Sequence, residues 1–162
     1  RDLGKQLQPV GMLVVLDSVF NRIIRNRKLG RGTYIYIDEI YLLFQHEYSA
    51  NFLFTLWKRV RKYGACCTGI TQNVDDLLQS HTARTMLANS EFLVMLNQAA
   101  TDRAELARLL NISDNQLSYI TNVDSGRGLL KCGSAIVPFM NSFPKNRLYQ
   151  LMTTRPSETM AA

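Results

Sequence analysis

Thr33-Tyr34-Ile35-Tyr36-Ile37-Asp38-Glu39 is the stretch on which the fold turns. Its first five residues are β-prone with almost no polar face, and they read as a strand covered on both sides, as strands of parallel sheets are. The run then closes on two adjacent carboxylates. Upstream, Met12, Val15, Leu16, Val19, Phe20, Ile23 and Ile24 recur at i, i+3, i+4 and i+7 spacing. This predicts an amphipathic helix that starts near Pro9 and ends before Gly30, with Gly30-Arg31-Gly32 breaking it. Downstream, Leu53, Leu56, Trp57 and Val60 put one apolar stripe on a second helix, over residues 47–62, which Tyr63-Gly64 terminates. Ala65-Cys66-Cys67-Thr68-Gly69-Ile70-Thr71 reads as a second buried strand that opens into Gln72, Asn73 and Asp75.

Short helical stretches, around residues 74–79 and 82–88, lead to Phe92-Leu93-Val94-Met95-Leu96, which reads as a third buried strand. Strand, helix, strand, helix, strand implies right-handed crossovers and a mostly parallel sheet with flanking helices, hence an α/β fold. Asp102 with Glu105 and Ser113 with Gln116 have capping-box spacing and predict helices over 102–110 and 113–119. Residues 126–131 and 134–137 flank Cys132-Gly133 as a β-hairpin. The stretch after Pro144 reads as irregular, and there is no internal repeat.

The chain has 162 residues, 46% hydrophobic and 20% charged, with 9 Gly and 4 Pro, a composition that excludes disordered, collagen-like and low-complexity chains. That length fits one domain or a piece of one. No apolar run approaches the ~18–20 residues that span a bilayer, and no signal-peptide segment follows the opening residues. The three cysteines have neither a disulfide-framework nor a metal-site spacing and suit a reducing, cytoplasmic compartment. A net charge of +6 is compatible with nucleic acid, an anionic membrane face or phosphate ligands and selects none of them. The cations cluster: Arg22, Arg25, Arg27, Lys28 and Arg31 form one group, and Lys58, Arg59, Arg61 and Lys62 another. Helix ends that favour cations at their C-terminal dipole would explain such groups as solvated surface.

In open α/β sheets ligands sit beyond the carboxyl ends of the strands, so the polar residues closing each apolar run carry the chemistry. These are Asp38-Glu39 and Thr71-Gln72. Two carboxylates side by side are costly unless a cation compensates them, and a magnesium ion would do so. An apolar strand ending in Asp-Glu is the Walker B pattern of NTPases, in which the Asp holds Mg²⁺ and the Glu orients and deprotonates the attacking water. The plainer alternative is that both acids cap the next helix. Gln72 follows one helix and one strand later, where its amide could hold the lytic water or sense a γ-phosphate; alternatively Gln72-Asn73 is only a turn. No G-x-x-x-x-G-K-[ST] phosphate loop occurs, so the chain by itself is expected to bind ATP poorly and to be inactive. The expectation is a C-terminal part of a longer ATPase whose phosphate loop lies upstream. His46 and His81 lack ligand-spaced partners, Cys67 and Ser90 lack a base beside them, and the Tyr34, Tyr36, Tyr41 and Phe44 group reads as packing.

Four blocks together carry a resemblance: Thr33 to Leu43, Leu56-Trp57-Lys58-Arg59-Val60-Arg61-Lys62-Tyr63-Gly64, Gly69 to Leu78, and Leu87-Ala88-Asn89-Ser90-Glu91-Phe92. They resemble the TraC/TraE-type conjugation ATPases, the VirB-four-type motors of type IV secretion, and most narrowly those of the integrative conjugative elements, or conjugative transposons, of Gram-positive bacteria. The resemblance runs from about Asp2 to Glu158 and leaves 159–162 as a disordered tail. It implies a RecA-like P-loop NTPase core of the HerA/FtsK superfamily, truncated upstream, with ATP and Mg²⁺ as cofactors. It also implies a homohexamer, type IV secretion channel proteins as partners, and ATP hydrolysis that powers DNA or protein transfer. The location it implies is cytoplasmic, at the inner face of the cell membrane through those partners. By position, Asp38 matches the family's aspartate that holds Mg²⁺ through water, Glu39 its catalytic glutamate, and Thr71 and Gln72 its Thr-Gln motif. Arg59 and Arg61 match the place of an arginine finger, and Gly126 and Gly128 a late motif near the nucleotide base or subunit edge. Two alternatives remain beside it: a DNA translocase or coupling-protein relative whose basic clusters grip phosphates, and a non-catalytic docking module of the secretion channel.

Overall fold

A computed structural model of the chain describes residues 4–72 and 74–153; the expected tail at 159–162 lies outside them. The chain divides into two units, Arg1–Ser90 and Glu91–Ala162. In the first, α1 (Gly4–Lys28) starts upstream of Pro9, a helix end being the part of an element that periodicity locates least well. Asn26, near its end, donates from Nδ2 to Thr33 Oγ1 at 3.0 Å and so ties the helix to the start of β1 (Thr33–Ile37). A 3-10 turn (Ile40–Phe44) leads into α2 (Glu47–Arg59), a second 3-10 turn (Val60–Tyr63) and β2 (Ala65–Gly69). The unit finishes with α3 (Val74–Gln79) and α4 (His81–Ala88), whose N-cap Ser80 accepts from the Ala83 amide at 3.3 Å.

β1 and β2 are parallel, in register from Thr33 opposite Ala65 to Ile37 opposite Gly69. The helices cover one face of this pair: Ile35 and Ile37 pack on a core that includes Ile23, Leu53, Leu56 and Met86. The other face is open. Tyr34 and Tyr36 are 72% and 70% exposed, so the strand is half-buried and not sandwiched between layers as its apolar composition suggests. Period-2 geometry sends alternate residues to opposite faces, and a tyrosine tolerates the wet face where an isoleucine would not.

The second unit contains β3 (Phe92–Met95), α5 (Ala100–Leu110), α6 (Asp114–Leu117), β4 (Arg127–Cys132), β5 (Ala135–Met140) and α7 (Arg147–Met152). Here the third strand departs from the parallel pairing implied by strand–helix alternation. β3 pairs antiparallel with β4, from Phe92 opposite Cys132 to Met95 opposite Leu129, and the sheet order is β3-β4-β5. Alternation predicts parallel neighbours only when the strands share a sheet; the hairpin supplies β3 with another partner, and Leu129 becomes fully buried against it, while Phe92 and Val94 stay exposed, so β3 is not the buried strand its apolar run suggests. The Ser113–Gln116 capping box forms. The Asp102–Glu105 one does not, because α5 starts at Ala100 and Asp102 falls inside its first turn. The stretch expected to be irregular after Pro144 contains α7, whose N-cap Asn146 accepts from the Tyr149 amide at 3.1 Å.

Candidate functional site at the carboxyl edge of the parallel pair

Because β1 and β2 run in the same direction and in register, their carboxyl ends share one rim. Two main-chain bonds close that rim. Ile70 N donates to Ile37 O at 2.8 Å, and Ile40 N donates to Ile70 O at 3.0 Å. Residue 70 thus grips the first strand on both sides of Asp38-Glu39, which are left protruding between the two bonds. Glu39 adopts φ 49°, ψ 48°, a left-handed conformation that costs a non-glycine residue of order 1–3 kcal/mol. Its amide donates to Asp38 Oδ1 at 3.0 Å. Asp38 is exposed and Glu39 half-buried. Strain held by flanking bonds at an acidic pair is the kind of local conflict that functional sites retain.

Thr71 and Gln72 leave β2 immediately after Ile70 and so emerge at the same edge, Thr71 half-buried and Gln72 exposed. Asn73 lies outside the described residues. The edge therefore gathers carboxylate, hydroxyl and amide oxygens, the hard donors that suit Mg²⁺. No group of three or more His, Cys, Asp or Glu among the described residues could cage a metal. Such an edge fits an ion held mainly by water and phosphate oxygens, with one or two carboxylates from the protein. Beside it, a cavity of about 470 Å³ opens between the 3-10 turn and α3, lined by Tyr41, Phe44, Gln45, Asp76, Gln79 and Ser80.

Arg59 and Arg61 lie elsewhere. Arg59 ends α2 and Arg61 sits in the turn that feeds the first residue of β2, so both are at the amino rim. A five-residue strand puts that rim roughly 13 Å from the carboxyl ends. Within one chain, then, neither arginine joins Asp38, Glu39 and Gln72. Arg25, Arg27, Lys28 and Arg31 stand at the same amino rim, just before β1, and the Arg27 guanidinium lies 5.4 Å from the Tyr63 ring centroid. The fold thus merges two sequence-distant basic clusters, while Asp38, Glu39, Asp75 and Asp76 collect at the opposite end.

Gly126 and Gly128 belong to the second unit, and each has a steric reason to be glycine. Gly126 has φ +87°, accepts from Asn141 N at 2.7 Å through its carbonyl, and a Cβ there would strike the Asn141 carbonyl. A Cβ on Gly128 would strike the Met95 carbonyl and the Phe139 ring. Arg127 between them pairs with Asp124 at 3.6 Å. Of the cysteines, Cys66 and Cys132 are exposed, whereas burial, reinforced by Cys66 beside it, pushes the Cys67 thiol up from 9.0 to about 12.

Sequence reasoning missed Ile40, Gly69 and Ile70, which build the rim without supplying chemistry. Ile40 is 5% exposed and lies against Gly69, where an added Cβ would meet Ile40 Cδ1 at 2.5 Å. A glycine inside a strand is the one signal that pointed there, since it often marks a close approach.

A sequence profile of the TraG P-loop domain matches residues 3–130. The solved structure of VirB4 of Thermoanaerobacter pseudethanolicus is similar to this chain, with a TM-score of 0.75 and 26% sequence identity. The similarity covers 88% of this chain and 40% of that one, so the chain spans less than half the length of that relative. No curated protein sequence matches. Among the described residues no helix is long and apolar enough to cross a membrane. With the profile matched over most of this chain and the α/β architecture shared with that VirB4 structure, the chain belongs to the TraG P-loop domain family.

Proposed function

We propose that this chain is the C-terminal portion of a conjugative-transfer ATPase of the VirB4 type, and that the rim built by Asp38, Glu39, Thr71 and Gln72 is its hydrolytic edge. The observation that carries the reading is the strained acidic pair clasped on both sides by Ile70, with Thr71-Gln72 emerging beside it. Mg-ATP, when bound, supplies the phosphoryl group and the metal that offsets its charge. Asp38, whose Oδ1 accepts from the Glu39 amide, would hold the ion through water with its carboxylate. Glu39 takes the proton of the attacking water. Gln72 orients that water by its amide and responds to the presence of the γ-phosphate, and Thr71 contributes its hydroxyl. The phosphate-cradling loop does not occur in this sequence, and the reading assigns it to another segment of the polypeptide.

Arg59 or Arg61 acts in trans in this reading. The opposite placement of the basic and acidic rims favours head-to-tail contacts, which close into rings when the rotation permits. One subunit's basic rim then faces its neighbour's acidic edge, and a guanidinium can reach the nucleotide of the next protomer in a homohexamer. Gly126 and Gly128 shape the hairpin that the resemblance matches to a late motif of the family. The motor works in the cytoplasm at the inner face of the cell membrane, against type IV secretion channel proteins, with DNA or protein as cargo.

The test is Glu39→Gln in the full-length protein that contains this chain. ATP binding should persist while turnover falls by about 10²-fold or more, the usual contribution of a general base. Unchanged hydrolysis would remove Glu39 from the mechanism and this edge from the reading.

A further inference from the structure

We propose that Gly69 and Ile40 form a steric lock that positions the acidic pair, a role resting on the reading of this rim as a hydrolytic edge. Gly69 is the last residue of β2, directly opposite Ile37, the last of β1. Its backbone does not require glycine, for Gly69 is absent from the glycines with positive φ. By propensity alone a strand is more stable with alanine there. What glycine provides is room: an added Cβ would lie 2.5 Å from Ile40 Cδ1 and 3.4 Å from Ile40 Cγ2. The Ile40 side chain fills the space that a Cβ would take and continues into the buried core.

The consequence reaches the acids through the main chain. Ile40 N donates to Ile70 O, and Ile70 N to Ile37 O, so the seat of Ile40 fixes where the protruding Asp38-Glu39 begins and ends. Glu39 alone in this segment holds a left-handed conformation, which persists only while its surroundings over-determine it. Ile40 is the buried residue immediately after that strain and Gly69 is the floor it rests on. Both are positioning residues. Neither carries a group that could touch the nucleotide.

The geometry names its own rescue. The atom in conflict with an alanine at 69 is Cδ1, and Ile40→Val deletes that atom alone. Three variants of the full-length protein are compared, Gly69→Ala, Ile40→Val and the double, by ATP turnover and by amide hydrogen exchange of peptides covering residues 37–43 and 67–72. Gly69→Ala should lower kcat about tenfold with KM within about twofold, because it displaces the reacting edge without removing a binding group. It should also speed exchange at the Ile40 and Ile70 amides about tenfold, while exchange elsewhere stays as in the parent. Ile40→Val alone should leave kcat within about threefold, and the double variant should recover both readouts to that level. The proposal is overturned if Gly69→Ala leaves local exchange unchanged, meaning that Ile40 simply rotates away, or if the double variant is no better than Gly69→Ala. Global destabilisation would accelerate exchange throughout the unit and would count against a local lock. Exchange decides the lock whatever the chemistry: recovery of exchange in the double variant with hydrolysis insensitive to Glu39→Gln would keep the lock and sink the hydrolytic reading.

Discussion

The two rims of the β1–β2 pair are made from the same kind of sequence and do opposite things. At the amino rim the chain enters each strand from a helix or turn ending in cations, Arg25, Arg27 and Lys28 before β1 and Arg59, Arg61 and Lys62 before β2. These are relaxed, exposed positions where a helix C-terminus already favours positive charge. At the carboxyl rim the chain leaves β1 through an exposed Asp38 and a strained, half-buried Glu39, and β2 through a polar Thr-Gln. Positive charge is placed where the backbone welcomes it, and negative charge where the backbone must be forced. In the proposed reading the basic rim is presented to a neighbouring subunit, and the acidic rim holds groups in fixed positions.

That contrast can be broken most sharply through the arginines. Replacing Arg59 and Arg61 together by alanine in the full-length protein should cost about 10³-fold in turnover if one is a finger reaching the next subunit. Mixing this variant with Glu39→Gln subunits should restore part of the activity, since each supplies the rim the other lacks. Failure of the mixture to recover activity would place the two rims in the service of different sites. Glu39→Gln itself should lower turnover by about 10²-fold while leaving ATP bound.

Glu39→Gly separates strain from chemistry at the acidic rim. Glycine accepts φ 49° freely, so thermal or chemical denaturation should find the variant about 1 kcal/mol more stable, although hydrolysis falls with the lost carboxylate. A loss of stability would mean that Glu39's side chain holds the rim more than its backbone strains it. The smallest effect concerns the wall between the rims. At pH 8 an alkylating reagent should modify Cys66 and spare Cys67. Modification of Cys67 should keep rising with pH well past 9 towards 12, because desolvation of the half-buried thiol, with Cys66 beside it, holds its proton to higher pH. Folding of this region is correspondingly favoured below pH 9 and loses that contribution as pH climbs from 9 to 12, where the unfolded thiol ionises first. Equal labelling of both cysteines at pH 8 would show the wall to be open.

Much of the first unit was legible because its signals are local. The periodic Val19, Phe20, Ile23, the β-prone run at 33–37 and the second at 65–69 each announce their element, and Asp38-Glu39 and Thr71-Gln72 stand where strand-end chemistry belongs. What could not be read depended on partners. Nothing in Phe92-Leu93-Val94-Met95 says that it will pair with Leu129-Leu130 some way along the chain, so its antiparallel ladder was invisible. The open face of β1 was hidden for the same reason, since a tyrosine scores as apolar whether or not anything covers it. At the candidate site the residue types at the strand ends were legible and the backbone that holds them was not. The carboxylates advertise themselves by type, whereas the grip of Ile70 and the gap at Gly69 are relations between backbones that composition does not encode.

Among the described residues β1 and β2 pair only with each other, so each presents one edge without a strand partner beside its exposed tyrosines or its Cys66 and Thr68. A ribbon with two such margins invites any loose extended peptide to dock along it. Anyone preparing this region by itself should expect sticky, self-templating material, and a host sheet that occupies those margins would be worth more to its solubility than any change of surface charge.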